Sequence, residues 1–201
     1  MRRDLGRLPY GVFKHQKKIG VTSLCDVDGG KDLVPVTIFD GHKMDILEYA
    51  GILASKTTRA KGNKDGDHAK STAGFNYMTS FLGQPIVYIL TYLSLNLGIN
   101  CKAIGLRNDQ FGHCILTNVG PLGYKEAFAP LCPITHCMSL ICTGKIEKRV
   151  VANKDGTGYE IKSMMTSVAT GDHRFGDAAI FIPFFNCLAN YLADPENFDH
   201  T

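Results

Sequence analysis

The spacing of apolar positions changes along this chain, and each change predicts an element. Residues 19–27, IGVTSLCDV, and 33–39, LVPVTIF, alternate apolar and polar side chains with β-branched residues dominant, the pattern of two strands. Gly29 and Gly30 between them can take the positive φ of a tight reversal, so the two strands read as a hairpin. Pro35 has no N–H to give to a ladder and is expected on a strand edge or in a bulge. From residue 44 to about 56 the period lengthens, and Ile46, Leu47, Ala50, Leu53 and Ala54 fall on one helical stripe. Residues 57–71, TTRAKGNKDGDHAKS, have no apolar period and read as an exposed connector.

Residues 72–98 resume a helical pattern as one or two helices. A break is expected near Gly83-Gln84-Pro85, because proline disfavours helix in the residue before it, and Gly98 is the expected stop. The second half returns to strands. FGHCILTNV at 111–119 ends in a turn at Gly120-Pro121-Leu122-Gly123, and 138–151 holds one or two more strands. A hairpin connector follows at 153–158, where Asp155-Gly156 tolerates positive φ, and then a long strand at 159–170. Ile180, Phe181, Phe184, Phe185, Leu188 and Leu192 give a last amphipathic helix at 177–192, its stripe read as core, with Pro183 in the first turn or at a kink. Strands with helices interspersed in this way predict an α+β or mixed α/β sandwich.

Composition narrows the class. At 201 residues the chain is one domain in length, and 44% hydrophobic with 20% charged residues is too apolar for disorder. The formal charge of +3, without a basic stripe, argues against a nucleic-acid partner or an anionic membrane surface. The most apolar stretch, 81–99, is interrupted by Gln84, Pro85, Ser94 and Asn96, which leaves it short of the ~20 residues of a membrane span. It reads as a buried or oligomer-facing helix. The Arg-bearing start, MRRDLGRLPYG, has no apolar run behind it, so no secretory signal is expected. The cysteines number seven, an odd count, and those within apolar runs such as Cys114 and Cys142 read as small core hydrophobes in a reducing compartment. Cys132, Cys137 and Cys142, with His136 beside them, lack the short spacing of a zinc knuckle, and no metal is expected.

The chemistry concentrates at 170–179, TGDHRFGDAA, where an imidazole stands between charges at a strand-to-helix junction. Histidine suits proton transfer near neutral pH. Asp177, four residues after His173, is near enough to fix the local geometry, directly or through an arginine. Taken alone, the spacing is better explained by a histidine that caps the last helix than by a catalytic one. His113 shares a strand face with Thr117 by period-two counting and could line a site, although a strand histidine bonded to backbone is the plainer reading. His42 belongs to a turn entering the 44–56 helix, and Gly120-Pro121-Leu122-Gly123 lacks the spacing of a phosphate loop.

The order of residues around His173 adds a resemblance. DHRFGDAA is similar to the DHRxxDG signature of the catalytic domain of the 2-oxoacid dehydrogenase acyltransferases, the E2 components of the large dehydrogenase complexes. It is more distantly similar to the HHxxxDG motif of the chloramphenicol acetyltransferases. Further segments match in order: GVTSLCDVDGGKDLVPVTIFD resembles the family's strand–turn–strand unit, FGHCILTNVGPLG its TISNLGxxG segment, VVANKDGTGYEIKSMMTSVATGDHR the hairpin that delivers the histidine, and LADPENF the end of the last helix.

The resemblance implies a CoA-dependent acyltransferase-like sandwich, a mixed sheet flanked by helices, covering residues 18–201 after an extension at 1–17, with an insertion-like helical region at about 57–108. The family's first strand–helix unit, which would precede residue 18, is absent from this sequence. The implied reaction is acyl transfer between CoA and a dihydrolipoyl thiol by thioester exchange. His173 would be the general base, Thr117 the hydroxyl that stabilises the oxyanion, and Asp177 the residue that holds the histidine's geometry. Taken from the residues alone, Thr117 is a strand threonine facing a neighbour. A lipoyl-bearing domain, a homotrimer or higher oligomer, other subunits of a dehydrogenase complex, and a cytoplasmic or mitochondrial-matrix location are implied with it. The motif's closing glycine is Ala178 here, a position that requires negative φ, and Pro121 follows the TNVG turn. With the absent unit, Ala178 motivates the alternative of a catalytically silent subunit that scaffolds a larger assembly.

Overall fold

In the computed structural model the described residues are 2–4, 12–14, 17–26, 33–61, 80–93, 111–132, 135–153 and 155–193. Strands β1 (Arg2–Asp4) and β2 (Val12–Lys14) pair antiparallel as a small ribbon. Strands β3 (Gly20–Asp26) and β4 (Leu33–Phe39) are the expected hairpin, although its Gly29-Gly30 turn lies outside the described residues. Then come helices α1 (Ile46–Lys61) and α2 (Ser80–Thr91) and strands β5 (Cys114–Asn118), β6 (Ser139–Thr143), β7 (Glu147–Ala152), β8 (Tyr159–Met164) and β9 (Ser167–Gly171). Helix α3 (Ala178–Ala193) follows.

The main sheet has the order β4-β3-β5-β6-β9. β3, β5 and β6 run parallel, while β4 and β9 join antiparallel at the edges, so the sheet is mixed and the α+β expectation holds. Each strand's composition follows from its place. β6 is central, and Ser139, Leu140, Ile141 and Cys142 are all buried, the continuous run of a strand covered on both faces. β4 is an edge strand that buries only Val34, Val36 and Ile38, on one face, and Pro35 sits where a missing N–H is best tolerated.

The core cluster is Ile115, Cys137, Leu140 and Cys142, with Leu24, Phe111, Val119, Ala127, Ala129 and Leu131 packed against it. Each aliphatic side chain fully buried there contributes ~1.5–3 kcal/mol. Thr22 is fully buried and keeps its hydroxyl satisfied twice: it donates to the Phe111 carbonyl at 2.8 Å and pairs with the Thr37 hydroxyl at 2.8 Å. The six described cysteines are free thiols; Cys137 and Cys142 are core residues, Cys132 and Cys187 are exposed, and Cys101 lies outside the described residues.

Several expectations need correction. The first helix continues to Lys61, so 57–61 is helical rather than connector; no glycine or proline interrupts TTRAK. The rest of that connector, 62–71, lies outside the described residues. The α1 stripe is also rotated. Ile46 and Leu47 point to solvent, and the half-buried side is Tyr49, Ile52, Leu53, Thr57 and Ala60, facing β4, with Lys56 Nζ donating to the Thr37 carbonyl at 2.8 Å. α2 does not break at Gly83-Gln84-Pro85: it runs through Pro85, which forfeits one helical bond, because no further breaker follows in IVYILT. Residues 94–98, with the expected stop at Gly98, lie outside the described residues. Pro183 is likewise the sixth residue of α3, beyond its first turn.

The α3 stripe is not core in this chain. Phe181 alone is buried, set over Gly171 of β9, while Ile180, Phe184 and Leu192 are exposed. The single long strand at 159–170 is two strands: the hairpin bends at Gly144, whose N–H donates to the Thr166 carbonyl at 2.9 Å, so β9 joins the main sheet and β8 pairs with β7 in a separate ribbon. The turn of that ribbon is as expected, with Gly156 at φ 69° and the Asn153 side-chain oxygen accepting from the Thr157 and Gly158 amides. Among the described residues no helix is long and apolar enough to cross a membrane.

Candidate active site

β9 delivers the histidine. The sheet ladder continues one step past Gly171, with the Asp172 N–H donating to the Met138 carbonyl at 2.9 Å, and the chain then turns, Phe175 N–H donating to the Asp172 carbonyl at 2.9 Å. The Asp172 carboxylate grips the residue two positions on. Oδ1 accepts from the Arg174 backbone N–H at 2.9 Å and from Nε at 3.0 Å, while Oδ2 accepts from Nε at 2.8 Å and Nη2 at 2.6 Å. Burial pushes the Asp172 carboxyl upward, but Arg174's hydrogen bonds and charge, with the charge of His136, outweigh it and hold the group below the ordinary carboxylate range. Asp172 in turn raises Arg174.

His173 sits between these two residues and is exposed. Asp177 stands immediately before α3, its carbonyl accepting from Ile180 N–H at 3.1 Å and Phe181 N–H at 3.4 Å, a position that favours aspartate. Arg174, the arginine of this turn, is paired with Asp172. Neither the His173 ring nor the Asp177 carboxylate has a hydrogen bond or ion pair with any described residue. Ala178 begins α3 and does not have positive φ; among the described non-glycine residues only Asp40 and His136 do. Alanine therefore fits where the motif has glycine.

Thr117 lies on β5, half-buried, opposite Cys142 of β6. Its carbonyl accepts from the Thr143 hydroxyl at 3.4 Å, and its own hydroxyl has no hydrogen bond with a described residue. Beyond it the chain enters a 3-10 turn at Gly120–Leu122, with Pro121 in its first positions and Gly123 at φ 89°. This loop is clamped against the hairpin bend. A Cβ on Gly120 would lie 2.9 Å from the Gly144 carbonyl oxygen, and one on Gly144 would overlap the Lys125 carbonyl. Beside the bend, Glu147 accepts from Lys125 Nζ at 3.1 Å and Arg149 Nε at 2.8 Å; the bonds from Arg149 and then Lys125 lower its pKa. Arg149 Nη2 also donates to the Thr166 hydroxyl at 3.0 Å.

His113 is a backbone staple. Its N–H donates to the Gly20 carbonyl at 2.7 Å and its Nδ1 accepts the Gly20 N–H at 3.1 Å. Its carbonyl accepts from Met138 N–H at 2.9 Å, which continues the ladder to Asp172. His42 is in the exposed turn at Gly41–Lys43, as expected. Among the described residues no group of three or more metal-ligating side chains occurs.

The strand register separates the candidates. Gly171 is level with Ser139 and Cys114; Thr117 lies three residues further along β5, and His173 two residues past Gly171 in the opposite direction. Along the strands that is ~16 Å at ~3.3 Å per residue. The structure thus brings His173 and Asp177 onto one turn and places Thr117 at the other end of the sheet. Sequence reasoning missed the Asp172–Arg174 pairing, although both residues stand in the motif and their two-residue spacing was the available signal.

Comparison with known families matches residues 102–198, from β5 through α3, to 2-oxoacid dehydrogenases acyltransferase (catalytic domain). That segment, just under half of the chain, is similar to the family's catalytic domain. Solved structures of acyltransferase cores share the fold. A probable dihydrolipoamide acetyltransferase from Listeria monocytogenes aligns over 92% of this chain and 58% of its own, with TM-score 0.58 and 12% identity. The cubic core of a pyruvate dehydrogenase multienzyme complex aligns over 98% of this chain and 62% of its own, with TM-score 0.62 and 15% identity. The dihydrolipoamide acetyltransferase of Azotobacter vinelandii gives the same two coverages, with TM-score 0.61 and 16% identity; its structure was determined to define the role of a serine, a histidine and an asparagine in catalysis. The chain therefore spans about three-fifths of the length of these acyltransferase structures. No curated protein sequence matches it.

Proposed function

We propose that this protein transfers an acyl group between CoA and a dihydrolipoyl thiol, at a site assembled from two copies of the chain. The observation that carries the reading is the register: the motif's His173 is exposed on its turn beside Asp177, yet the candidate hydroxyl, Thr117, lies ~16 Å away along the same sheet. A neighbouring copy supplies the missing half. Heterologous contacts of this kind close into rings, and a homotrimer is the smallest. The exposed apolar residues Ile86, Tyr88 and Ile89 of α2, with Tyr92 just after it, support burial against a neighbour.

In the proposed reaction the His173 imidazole takes the proton from the incoming thiol, because the thiolate is the competent nucleophile and a thiol of pKa near 8.5 is mostly protonated at neutral pH. The thiolate adds to the thioester carbonyl. Thr117 of the adjacent copy donates its hydroxyl to the oxyanion, an interaction worth ~2.7–4 kcal/mol of barrier. Collapse breaks the original C–S bond, and the leaving thiolate recovers the proton from the imidazolium. CoA and the lipoyl group, carried on a separate domain or chain, are both substrates. The histidine and the hydroxyl are residue types that the Azotobacter structure addresses; Asp177, proposed to hold the turn, has the shape of its asparagine. The odd count of seven cysteines, several within apolar runs, favours a reducing compartment, cytoplasm or mitochondrial matrix.

Mixing tests the shared site. His173→Ala and Thr117→Ala should each be slow as pure proteins in transferring acetyl from acetyl-CoA to dihydrolipoamide, the first by ~10²–10⁴-fold. Dissociated and reassembled together, they should regain part of the wild-type rate, since some sites then pair an intact histidine with an intact hydroxyl. No recovery in a proven mixed oligomer defeats the two-copy site. A wild-type protein that assembles but neither binds CoA nor exchanges thioesters is the scaffold of the alternative reading.

A further inference from the structure

We propose that Asp172 and Arg174 form a clasp that positions His173 for proton transfer. The inference rests on the acyl-transfer reading and adds two positioning residues to it. Four contacts close the clasp around one residue: three from the guanidinium fork to the carboxylate and one from the Arg174 amide to Oδ1. Residues at i and i+2 meet on one side of the chain, so the side chain between them is thrown to the other. The observed exposures agree, with the Asp172 side chain 10% exposed and His173 open.

The clasp is also anchored to the body of the sheet. Gly20, His113, Met138 and Asp172 form a continuous run of backbone hydrogen bonds at one level, ending on the residue before His173. On the other side, the Asp177 carbonyl accepts from the Ile180 and Phe181 amides as α3 begins. Between these fixed points the turn has one internal backbone bond, from Phe175 N–H to the Asp172 carbonyl. The charged grip of Arg174 on Asp172 then decides how firmly the imidazole is aimed. Lysine in place of Arg174 would keep the charge and lose the planar fork that makes the grip bidentate. Small misplacement matters because a reacting group displaced by ~1 Å can lose ~10²-fold in rate.

The test uses the full chain, with acetyl-CoA and free dihydrolipoamide as substrates. Arg174→Lys should lower kcat by ~10–100-fold and leave the KM for acetyl-CoA nearly unchanged. Introduced into His173→Ala, the same change should have no further effect on the residual rate, since a positioning residue acts only through the group it positions. Asp172→Asn, which keeps the shape and one acceptor, is the second variant should the first fold poorly, and it should give a smaller loss. An NMR order parameter at the His173 amide gives a readout that needs no activity: ~0.85 in the wild type and below ~0.6 in Arg174→Lys. Wild-type kcat in Arg174→Lys overturns the clasp, as does an equal loss with and without His173. If the wild type transfers no acyl group, the functional reading fails, and a rigid His173 amide in Arg174→Lys then overturns the clasp on its own terms.

Discussion

The two ends of the main sheet are held in different ways. At the Thr117 end, main chain lies directly on main chain: the loop after β5 meets the hairpin bend through Gly120 and Gly144, where no Cβ can be accommodated. At the His173 end, a carboxylate–guanidinium clasp and the main-chain bonds that open α3 hold a solvent-facing turn. Close approach of backbones is insensitive to salt and pH and intolerant of substitution. Charge pairing near water tolerates substitution and responds to the medium. In the proposed reaction, a hydroxyl that presents a fixed dipole suits the first kind of support, and a base that meets incoming thiols suits the second.

The largest expected effect comes from breaking the rigid end. Gly144→Ala forces the Lys125 carbonyl aside and should destabilise the protein by ~3 kcal/mol or more, read as a fall in the urea midpoint. A midpoint equal to wild type would show that this end is not fixed by backbone contact. Next is the buried pin between β3, β4 and residue 111. Thr22→Val removes the hydroxyl that joins the Thr37 hydroxyl to the Phe111 carbonyl and should cost ~1 kcal/mol by denaturant titration.

The clasp should contribute less to stability. Because the folded-state pKa of Asp172 is depressed, its contribution is fully present above the unfolded value of ~3.9 and is lost as pH falls through the lower folded value. Comparing Asp172→Asn with wild type should give a difference of ~0.2–1 kcal/mol at pH 7 that shrinks in acid and in high salt. A difference that grows in acid would reverse the comparison. Smallest of all is His173→Ala, which removes an exposed side chain and should shift stability by less than ~0.5 kcal/mol while acyl transfer falls.

The hairpin of β3 and β4, the strands β5 to β7, the turn at 153–158 and the last helix were all legible in the sequence, because each is written in local period and turn chemistry. The family motif around His173 was legible for the same reason: it is a short, contiguous string. The errors share a cause. The bend that splits 159–170 into β8 and β9 depends on Gly144, about twenty residues away in sequence, receiving the Thr166 carbonyl. The pairing of Arg174 with Asp172 was not legible because both Asp172 and Asp177 lie close to it in sequence, and only the fold of the turn brings the carboxylate onto the guanidinium. The stripe of α3 was read as core, and that of α1 was placed on the wrong side, because periodicity shows that a face is apolar, not what covers it.

Sequence alone determined the local elements, the α+β class and the string of groups from which the candidate site is drawn, since these depend on neighbours a few residues apart. Tertiary structure alone decided which stripes are buried, which aspartate holds Arg174, and that Thr117 and His173 stand at opposite ends of one sheet. Those outcomes depend on pairing register and contacts between distant segments, and a one-residue change in register would alter them without changing any local pattern.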